Sequence, residues 1–539
     1  MAVTYAKVVD GCYVGNISDF EVKAITSIRS CEKIDALKKM IYNFSDDVVE
    51  SSIKNSKSIR DMVKNGEVEV SYGELKDSQT VAVGFMYWSK RSLLGDAVGS
   101  GKTVVSAALI NYLLSRKEMK KFIFFADSVT AAVQVCKELI KFTGLNIGNM
   151  PSQSAKMIKY IEKTDWTEID GIVTTHSALK SDTLLNWLAQ FIGADGLCSM
   201  FDTLFLDESS VIKNKNTKMF RYSASLIDKV ARVHFLNATS FETCIMDIYN
   251  QIDMLRSELL PKAWRIEKEY CTFKNEPYWI TQGGRPVQKF ARKLVGYKNQ
   301  EMFKESLKLV YFGRSKQDLG IGVEHTYKVY VTYPTNQQLH EISRGSSYNM
   351  VLNCPSLLDK TEIKFNTEDV PKLAMLLDII KNEFNDKHIL IYCFNIGAMD
   401  KIKEELLLIG KKVEIINGAT KPKERTEIKD RFNSGDVDIV ITNVQRSLNM
   451  YGGDVCIWYT YSGNPGRMEQ IRGRVDRNVD DSVKTFVLLL YKNSPEYTFF
   501  KETAGQRAKD SRELTVDADT CLDYFMNEIG EGKETLKCY

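Results

Sequence analysis

Two hydrophobic rhythms alternate along this chain. Short runs that are apolar at nearly every position, Phe122–Ala126, Gly171–Thr175, Thr203–Asp207 up to its last residue, and 233–236, are separated by longer stretches such as 104–114 and 131–142. In those stretches apolar residues return every three or four positions. A run without alternation has both faces buried, as in a parallel strand, whereas the three-four spacing marks one stripe of a helix. The alternation restarts further on. Helical spacing over 370–384, 399–408 and 423–432 is interleaved with apolar runs at 388–394, 412–416 and 437–442. The pattern predicts an α/β protein of two tandem parallel-sheet lobes.

Three regions fall outside it. Residues 1–73 predict a small accessory region: a short hairpin over 5–14 turning at Asp10-Gly11, then helical spacing from about 19 to 63. Residues 74–345 form the first lobe, with a helical insertion at about 250–330. That insertion is rich in basic and aromatic residues, among them Lys289, Arg292, Lys293, Lys308, Tyr311 and Arg314, and suits a surface that tracks phosphates. The second lobe is placed at 346–490. Residues 491–539, polar and acidic towards their end, predict a C-terminal extension of one or two helices.

Charge narrows the class of partner. With 73 Lys and Arg against 70 Asp and Glu the 539-residue chain carries a formal charge of only +3, so any grip on nucleic acid must come from local patches. Eleven cysteines, scattered without C-x-x-C spacing, argue against a disulfide framework or a zinc site. No run of 18 apolar residues and no charged lead with an apolar block occurs, which predicts an intracellular protein that is neither secreted nor membrane-bound.

The chemistry concentrates in one stretch, Leu93-Leu-Gly-Asp-Ala-Val-Gly-Ser-Gly-Lys-Thr103. A strand end, a glycine-rich turn and a helix start follow one another, so backbone N–H groups and the positive helix end converge on one point. Gly99, Ser100 and Gly101 would wrap phosphate, Lys102 would reach the β- and γ-phosphates, and Thr103 would ligate Mg²⁺. Asp96 stands where the strict pattern has its first glycine and is counted among the nucleotide-binding residues of the loop. Upstream, Gln79 can offer both edges of its amide to adenine. About a hundred residues on, a buried run ends in Asp207 and Glu208, the first suited to hold Mg²⁺ and the second to polarise the attacking water. Thr239 and Ser240, small hydroxyl residues after the fourth apolar run, can couple nucleotide state to the rest of the protein. In the second lobe Gln470-Ile-Arg-Gly-Arg474-Val-Asp-Arg477 sets Arg474 and Arg477 one helical turn apart, where they can neutralise charge on a γ-phosphate. Only one of the two lobes has a phosphate loop, which predicts a nucleotide clamped between them.

In order and content these motifs resemble superfamily 2 helicases and translocases, and within them the Swi/Snf-type branch. Asp96-Ala-Val-Gly-Ser-Gly-Lys-Thr103 is similar to the branch's D-E-M-G-L-G-K-T, and 236–243 to its L-T-G-T-P-I-Q-N. The helix-and-proline stretch 247–261 and Phe312-Gly-Arg-Ser-Lys-Gln-Asp-Leu319 have counterparts there, and 470–477 matches Q-x-x-G-R-x-x-R. The likeness spans about 74–490. One motif departs: Thr442-Asn-Val-Gln-Arg-Ser-Leu-Asn-Met450 lacks the glycines of T-x-A-G-G-x-G-x-N-L.

The resemblance implies two RecA-like P-loop lobes, ATP and Mg²⁺ as cofactors, and a nucleic-acid-dependent ATPase that moves on duplex DNA as a monomer. It further implies nucleic-acid contacts at Thr175, Arg314 and Thr442, replication, recombination or transcription proteins as partners, and a bacteriophage or viral origin. A strand-separating helicase, an RNA-dependent ATPase and a non-hydrolysing ATP-gated clamp are the competing readings.

Overall fold

In the computed structural model the described residues are 75–238, 241, 244–282, 285–320, 325–344, 347–353, 370–444, 448–476, 482–514 and 520–538, with two short strands near the N-terminus. Those strands, β1 (Lys7–Val9) and β2 (Cys12–Val14), pair antiparallel. The expected helices over 19–63 lie outside the described residues. The chain divides into two compact units, Met1–Arg314 with Glu513–Val516 and Ser315–Arg512 with Asp517–Tyr539.

The first unit is built on β3 (Arg91–Leu94), β4 (Phe122–Ala126), β5 (Ile147–Asn149), β6 (Gly171–Thr175), β7 (Thr203–Asp207) and β8 (Arg232–Leu236). Beyond these come β9 (Cys271–Gln282), β10 (Arg285–Tyr297) and β11 (Tyr311–Phe312). Seven of them form one parallel sheet in the order β11-β3-β8-β7-β4-β6-β5. Every residue of β4 and β6 is buried, as the unbroken apolar runs require. Phe124 and Phe205 stack on adjacent strands at 5.7 Å between ring centroids, and helices such as Lys102–Ser115 and Val129–Thr143 cover the sheet. The loops that follow β3, β7 and β8 therefore all leave from the same, C-terminal, edge of the sheet.

One expectation is corrected here. The insertion is not helical throughout: β9 and β10 form a separate two-stranded antiparallel ribbon of 12 and 13 residues, flanked by the helices Ile245–Leu255, Ala263–Tyr270 and Gln300–Leu307. Two runs with Phe, Tyr, Trp, Ile and Val around Gly283-Gly284 are a hairpin signal, and the lysine content of the stretch masks it.

The second unit contains β12 (Thr326–Thr332), β13 (Ile389–Tyr392), β14 (Val413–Ile416), β15 (Ile439–Thr442), β16 (Val455–Trp458), β17 (Thr485–Tyr491) and β18 (Thr535–Leu536). They make a second all-parallel sheet, ordered β14-β15-β13-β16-β17-β12-β18. Its residues alternate between two cores: Ile389 and Ile391 enter one, Leu390 and Tyr392 the other. The expected lobe boundaries shift accordingly. β12 lies before residue 345 yet pairs with β17 over seven residues, and β18, in the expected extension, adds to its other side. Both strands belong to the second lobe because its sheet would otherwise end at β17 with an unpaired edge. Among the described residues no helix is long and apolar enough to cross a membrane.

Candidate active site

After β3 the backbone runs along the chain's own residues 312–314 before it can turn. The Gly95 N–H donates to the Phe312 carbonyl (2.6 Å) and the Ala97 N–H to that of Arg314 (3.0 Å). Gly99 and Gly101 then take φ of +85° and +83°, a region that residues with a Cβ enter at a cost of about 1–2 kcal/mol. Gly101 is also the N-cap of the helix Lys102–Ser115, and a Cβ there would lie 2.6 Å from Gln79 Nε2. The loop therefore ends at the positive N-terminus of the helix, with Thr103 in the first turn.

Asp96 has a different task from the one expected. Its carboxylate is 2 % exposed and forms a two-pronged pair with Arg314, Nε to Oδ1 at 3.0 Å and Nη2 to Oδ2 at 2.6 Å. The guanidinium also stacks over Phe312, 4.6 Å from the ring centroid. This corrects two expectations: the Asp96 carboxylate is taken up by Arg314, and Arg314, expected to touch nucleic acid, is committed to Asp96. Gln79 likewise braces the loop. Its Nε2 donates to the Ser100 carbonyl (3.1 Å) while its Oε1 accepts from the Lys76 N–H (3.0 Å), so its amide is already engaged at both ends. Lys102 Nζ donates to the Asp96 and Ala97 carbonyls at 2.8 and 3.2 Å, over the concave side of the turn.

β7 brings the acidic pair to the same sheet edge, and both side chains retain partial access to solvent. The desolvation of dense surroundings pushes the Asp207 carboxyl up to about 7; the neighbouring Glu208 charge raises it, as does Asp127, and the Lys102 ammonium pulls it back. A carboxylate pair crowded in this way gains from a cation. Glu208 leaves the strand in the left-handed region at φ 48°, which costs about 1–3 kcal/mol and turns its side chain off the strand direction. Two partners escaped the sequence reading. His176, after Thr175 at the end of β6, donates from Nε2 to the Asp207 carbonyl (2.7 Å). Ser209 Oγ donates to Gln251 Oε1 (2.6 Å), tying the acidic turn to the helix Ile245–Leu255. The only sequence hint was a histidine directly after Thr-Thr.

In the second unit the helix Pro465–Val475 carries Gln470 and Arg474, both buried. The Arg474 carbonyl accepts from the Met450 N–H at 2.8 Å. Arg472 is taken up structurally, paired with Glu469 and donating to the Tyr327 hydroxyl at 2.9 Å. Asp476 ends the helix between Lys316 and His325, the latter at 3.1 Å. Burial would raise its pKa, but the His325 hydrogen bond and the Lys316 and Arg472 charges outweigh burial and hold it well below the usual carboxylate range. Lys316 and His325 were not read from the sequence, since neither has a motif of its own. Arg477, Thr239 and Ser240 lie outside the described residues. Thr175 is buried at the end of β6. Thr442, expected at nucleic acid, is also buried: its hydroxyl donates to the Ile416 carbonyl (2.8 Å) and accepts from the Val444 N–H (3.0 Å), which corrects that expectation.

These groups fit a nucleoside triphosphate with Mg²⁺. Among the described residues no cluster of three or more His, Cys, Asp or Glu could hold a metal alone. Mg²⁺ needs no such cage, because it binds through one or two protein oxygens plus phosphate and water, and Asp207 and Thr103 are the residues that would hold it.

Residues 51–230 match the family described as "Type III restriction enzyme, res subunit", and 371–479 match "Helicase conserved C-terminal domain". The chain is 22% identical over 406 residues to the Xenopus tropicalis SWI/SNF-related matrix-associated actin-dependent regulator of chromatin subfamily A-like protein 1, covering 72% of this chain and 39% of that protein. It is 20% identical over 432 residues to the Bacillus subtilis uncharacterized ATP-dependent helicase YqhH, covering 72% and 70%, and 26% identical over 174 residues to Saccharomyces cerevisiae helicase SWR1, covering 31% and 11%. It thus spans well under half the length of the first two chromatin-related relatives. A solved Sulfolobus solfataricus SWI2/SNF2 ATPase core in complex with dsDNA aligns over 83% of this chain and 98% of that one, at 16% identity and a TM-score of 0.38. With a phosphate loop and an acidic strand end in one unit and an arginine helix in the other, the chain matches a helicase C-terminal domain over 371–479 and is similar over most of its length to a SWI/SNF-related protein and to an ATP-dependent helicase.

Proposed function

We propose that this chain is a nucleic-acid-dependent ATPase of the Swi/Snf type, a motor that couples ATP hydrolysis to movement along duplex DNA and remodels DNA structures or protein-DNA complexes. One observation carries the reading: the glycine-turned loop after β3, with Lys102 opening its helix, and the acidic pair that ends β7 leave the same edge of one parallel sheet. A triphosphate seated on the loop would displace Lys102 from the Asp96 and Ala97 carbonyls onto its β- and γ-oxygens. The N–H groups that open the helix Lys102–Ser115 would meet the same oxygens. Mg²⁺, held by Thr103 and Asp207, supplies positive charge to those oxygens when bound.

Glu208, turned off the end of β7, orients a water in line with the γ-phosphorus and accepts its proton. Arg474 and Arg477 neutralise charge on the transferring phosphoryl group. Gln79, engaged by the loop, supports the nucleotide through Ser100 more than by reading adenine. The segment after β8, which includes Thr239 and Ser240, carries the change in nucleotide state onward. Contacts to the phosphate backbone would give little sequence preference and a steep dependence on salt.

The test is phosphate release without nucleic acid and with duplex DNA, single-stranded DNA or RNA. Duplex-specific stimulation that disappears in Lys102→Ala supports the motor, and displacement of a third strand from a triplex without duplex unwinding separates translocation from strand separation. Stimulation by RNA alone refutes the reading.

A further inference from the structure

The ribbon β9–β10 is the part of the first unit that the ATPase chemistry does not use. Among the described residues its strands pair only with each other. Between Cys271 and Tyr297 the sequence places Lys274, Arg285, Lys289, Arg292 and Lys293 against a single carboxylate, Glu276. This one arm therefore carries a larger positive excess than the whole chain, whose net charge is +3.

The register arranges these charges. Lys289, Ala291 and Lys293 share one face of β10, and Lys293 stands directly opposite Lys274 on β9. Like charges directly opposite are destabilising unless a counter-charge lies over them. Glu276 serves Lys293 (3.0 Å), and both partners are exposed; it is the one carboxylate of the ribbon against three ammonium groups on this face. On the other face Arg292 lies over the Phe273 ring (3.6 Å to the centroid), and Phe290, two residues away, is 65 % exposed.

Lysines and prolines also protect open strand edges from pairing with other chains. Edge protection alone does not require three ammonium groups gathered on one face. The root of the arm adds a second observation. The Tyr297 hydroxyl accepts from the Ile245 N–H (3.1 Å), and its ring meets Phe241 edge-on at 6.1 Å. Phe241 and Ile245 belong to the segment after β8, at the sheet edge that carries the acidic pair.

We propose that the ribbon β9–β10 is a grip on duplex DNA, its face of Lys274, Lys289 and Lys293 lying along the phosphate backbone. The inference rests on the motor reading and names where that motor holds its track. A ribbon of 12–13 residues per strand extends about 40 Å, longer than one turn of duplex at about 34 Å, and a two-stranded ribbon is of a width the major groove admits.

The test uses the full chain, a fluorescent duplex oligonucleotide and anisotropy titrations at several salt concentrations, with basal ATPase and melting temperature alongside. The triple variant Lys274→Ala/Lys289→Ala/Lys293→Ala is expected to lower the slope of log affinity against log salt by about 2–3, near 0.9 for each lost phosphate contact, and to leave basal ATPase unchanged. Glu276→Gln moves the other way, binding duplex more tightly, and keeps the proposal testable should the triple variant fold poorly. An unchanged duplex slope in the folded triple variant together with unchanged affinity in Glu276→Gln overturns the proposal. So does a slope change seen with single-stranded but not duplex DNA. A wild-type protein that binds no nucleic acid and is stimulated by none overturns instead the motor reading beneath it.

Discussion

The two sheets are one scaffold fitted out in two ways. Each has seven parallel strands, and each turns from an inner strand directly into a helix. In the first unit the turn from β3 to the helix Lys102–Ser115 takes seven residues, 95–101, two of them glycines at positive φ. In the second, β13 reaches the helix Ile396–Leu408 through Cys393, Phe394 and Asn395 alone. Seven residues can ring a phosphate and three cannot, so only the turn of the first unit has the length of a phosphate loop although the fold is shared. Buried charge is divided in the same manner. In the first unit Asp96 and Arg314 pin a loop; in the second Lys372, fully buried, pairs with both oxygens of Glu496 at 2.7 and 2.8 Å and with Asn353 Oδ1 at 2.7 Å, inside the core. The first pair positions a site, and the second holds a domain together.

That contrast can be broken most directly at the two turns. Lys102→Ala should reduce the rate of phosphate release by about 10²–10³-fold or more while the protein stays folded, as expected for loss of a charge aimed at the transferring group. Asn395→Ala, at the matching turn of the second unit, should leave hydrolysis nearly intact; a comparable loss would end the comparison. Next in size is Glu496→Gln. It leaves the Lys372 ammonium buried without its counter-charge and should destabilise the second unit by about 3–5 kcal/mol in chemical denaturation.

Arg314→Lys should have a smaller effect of another kind. A point charge replaces a fork, so the Asp96 pair loses its two-pronged geometry, and the KM for ATP should rise several-fold with a minor shift in melting. The acidic strand end sharpens the comparison through pH. Asp207 is raised to about 7 in the folded protein, whereas a free carboxyl titrates at about 4. Between those values the folded state holds a proton that the unfolded chain has released, so this group lowers stability as pH rises and has lost its full contribution above about 7. The melting temperature of the metal-free protein should therefore fall between pH 5 and 8, and fall less in Asp207→Asn. Smallest is Tyr297→Phe, which removes an acceptor worth about 1 kcal/mol and should reduce DNA stimulation of the ATPase while sparing DNA affinity.

Much of this was legible in one dimension because the physics is local. A strand buried on both faces must be apolar throughout, so β4, β6, β7 and β15 announce themselves. A loop that bends through positive φ needs glycine, so Gly99 and Gly101 mark the site. The ribbon was misread because its polar residues, spread over two exposed faces, blur the period-2 signal. β12 and β18 were assigned elsewhere because a strand's sheet is chosen by partners far along the chain, here β17 for β12 and β12 for β18.

The amino-acid order by itself determined which residues could handle phosphate and that two parallel sheets would form, since backbone conformation and burial period act within a few residues. Only the tertiary structure decided that the Asp96 carboxylate pairs with Arg314, that Thr442 is spent on backbone hydrogen bonds, and that His176 braces Asp207. A polar side chain in a densely packed interior takes whichever partner folding brings within reach, and that partner can lie 218 residues away.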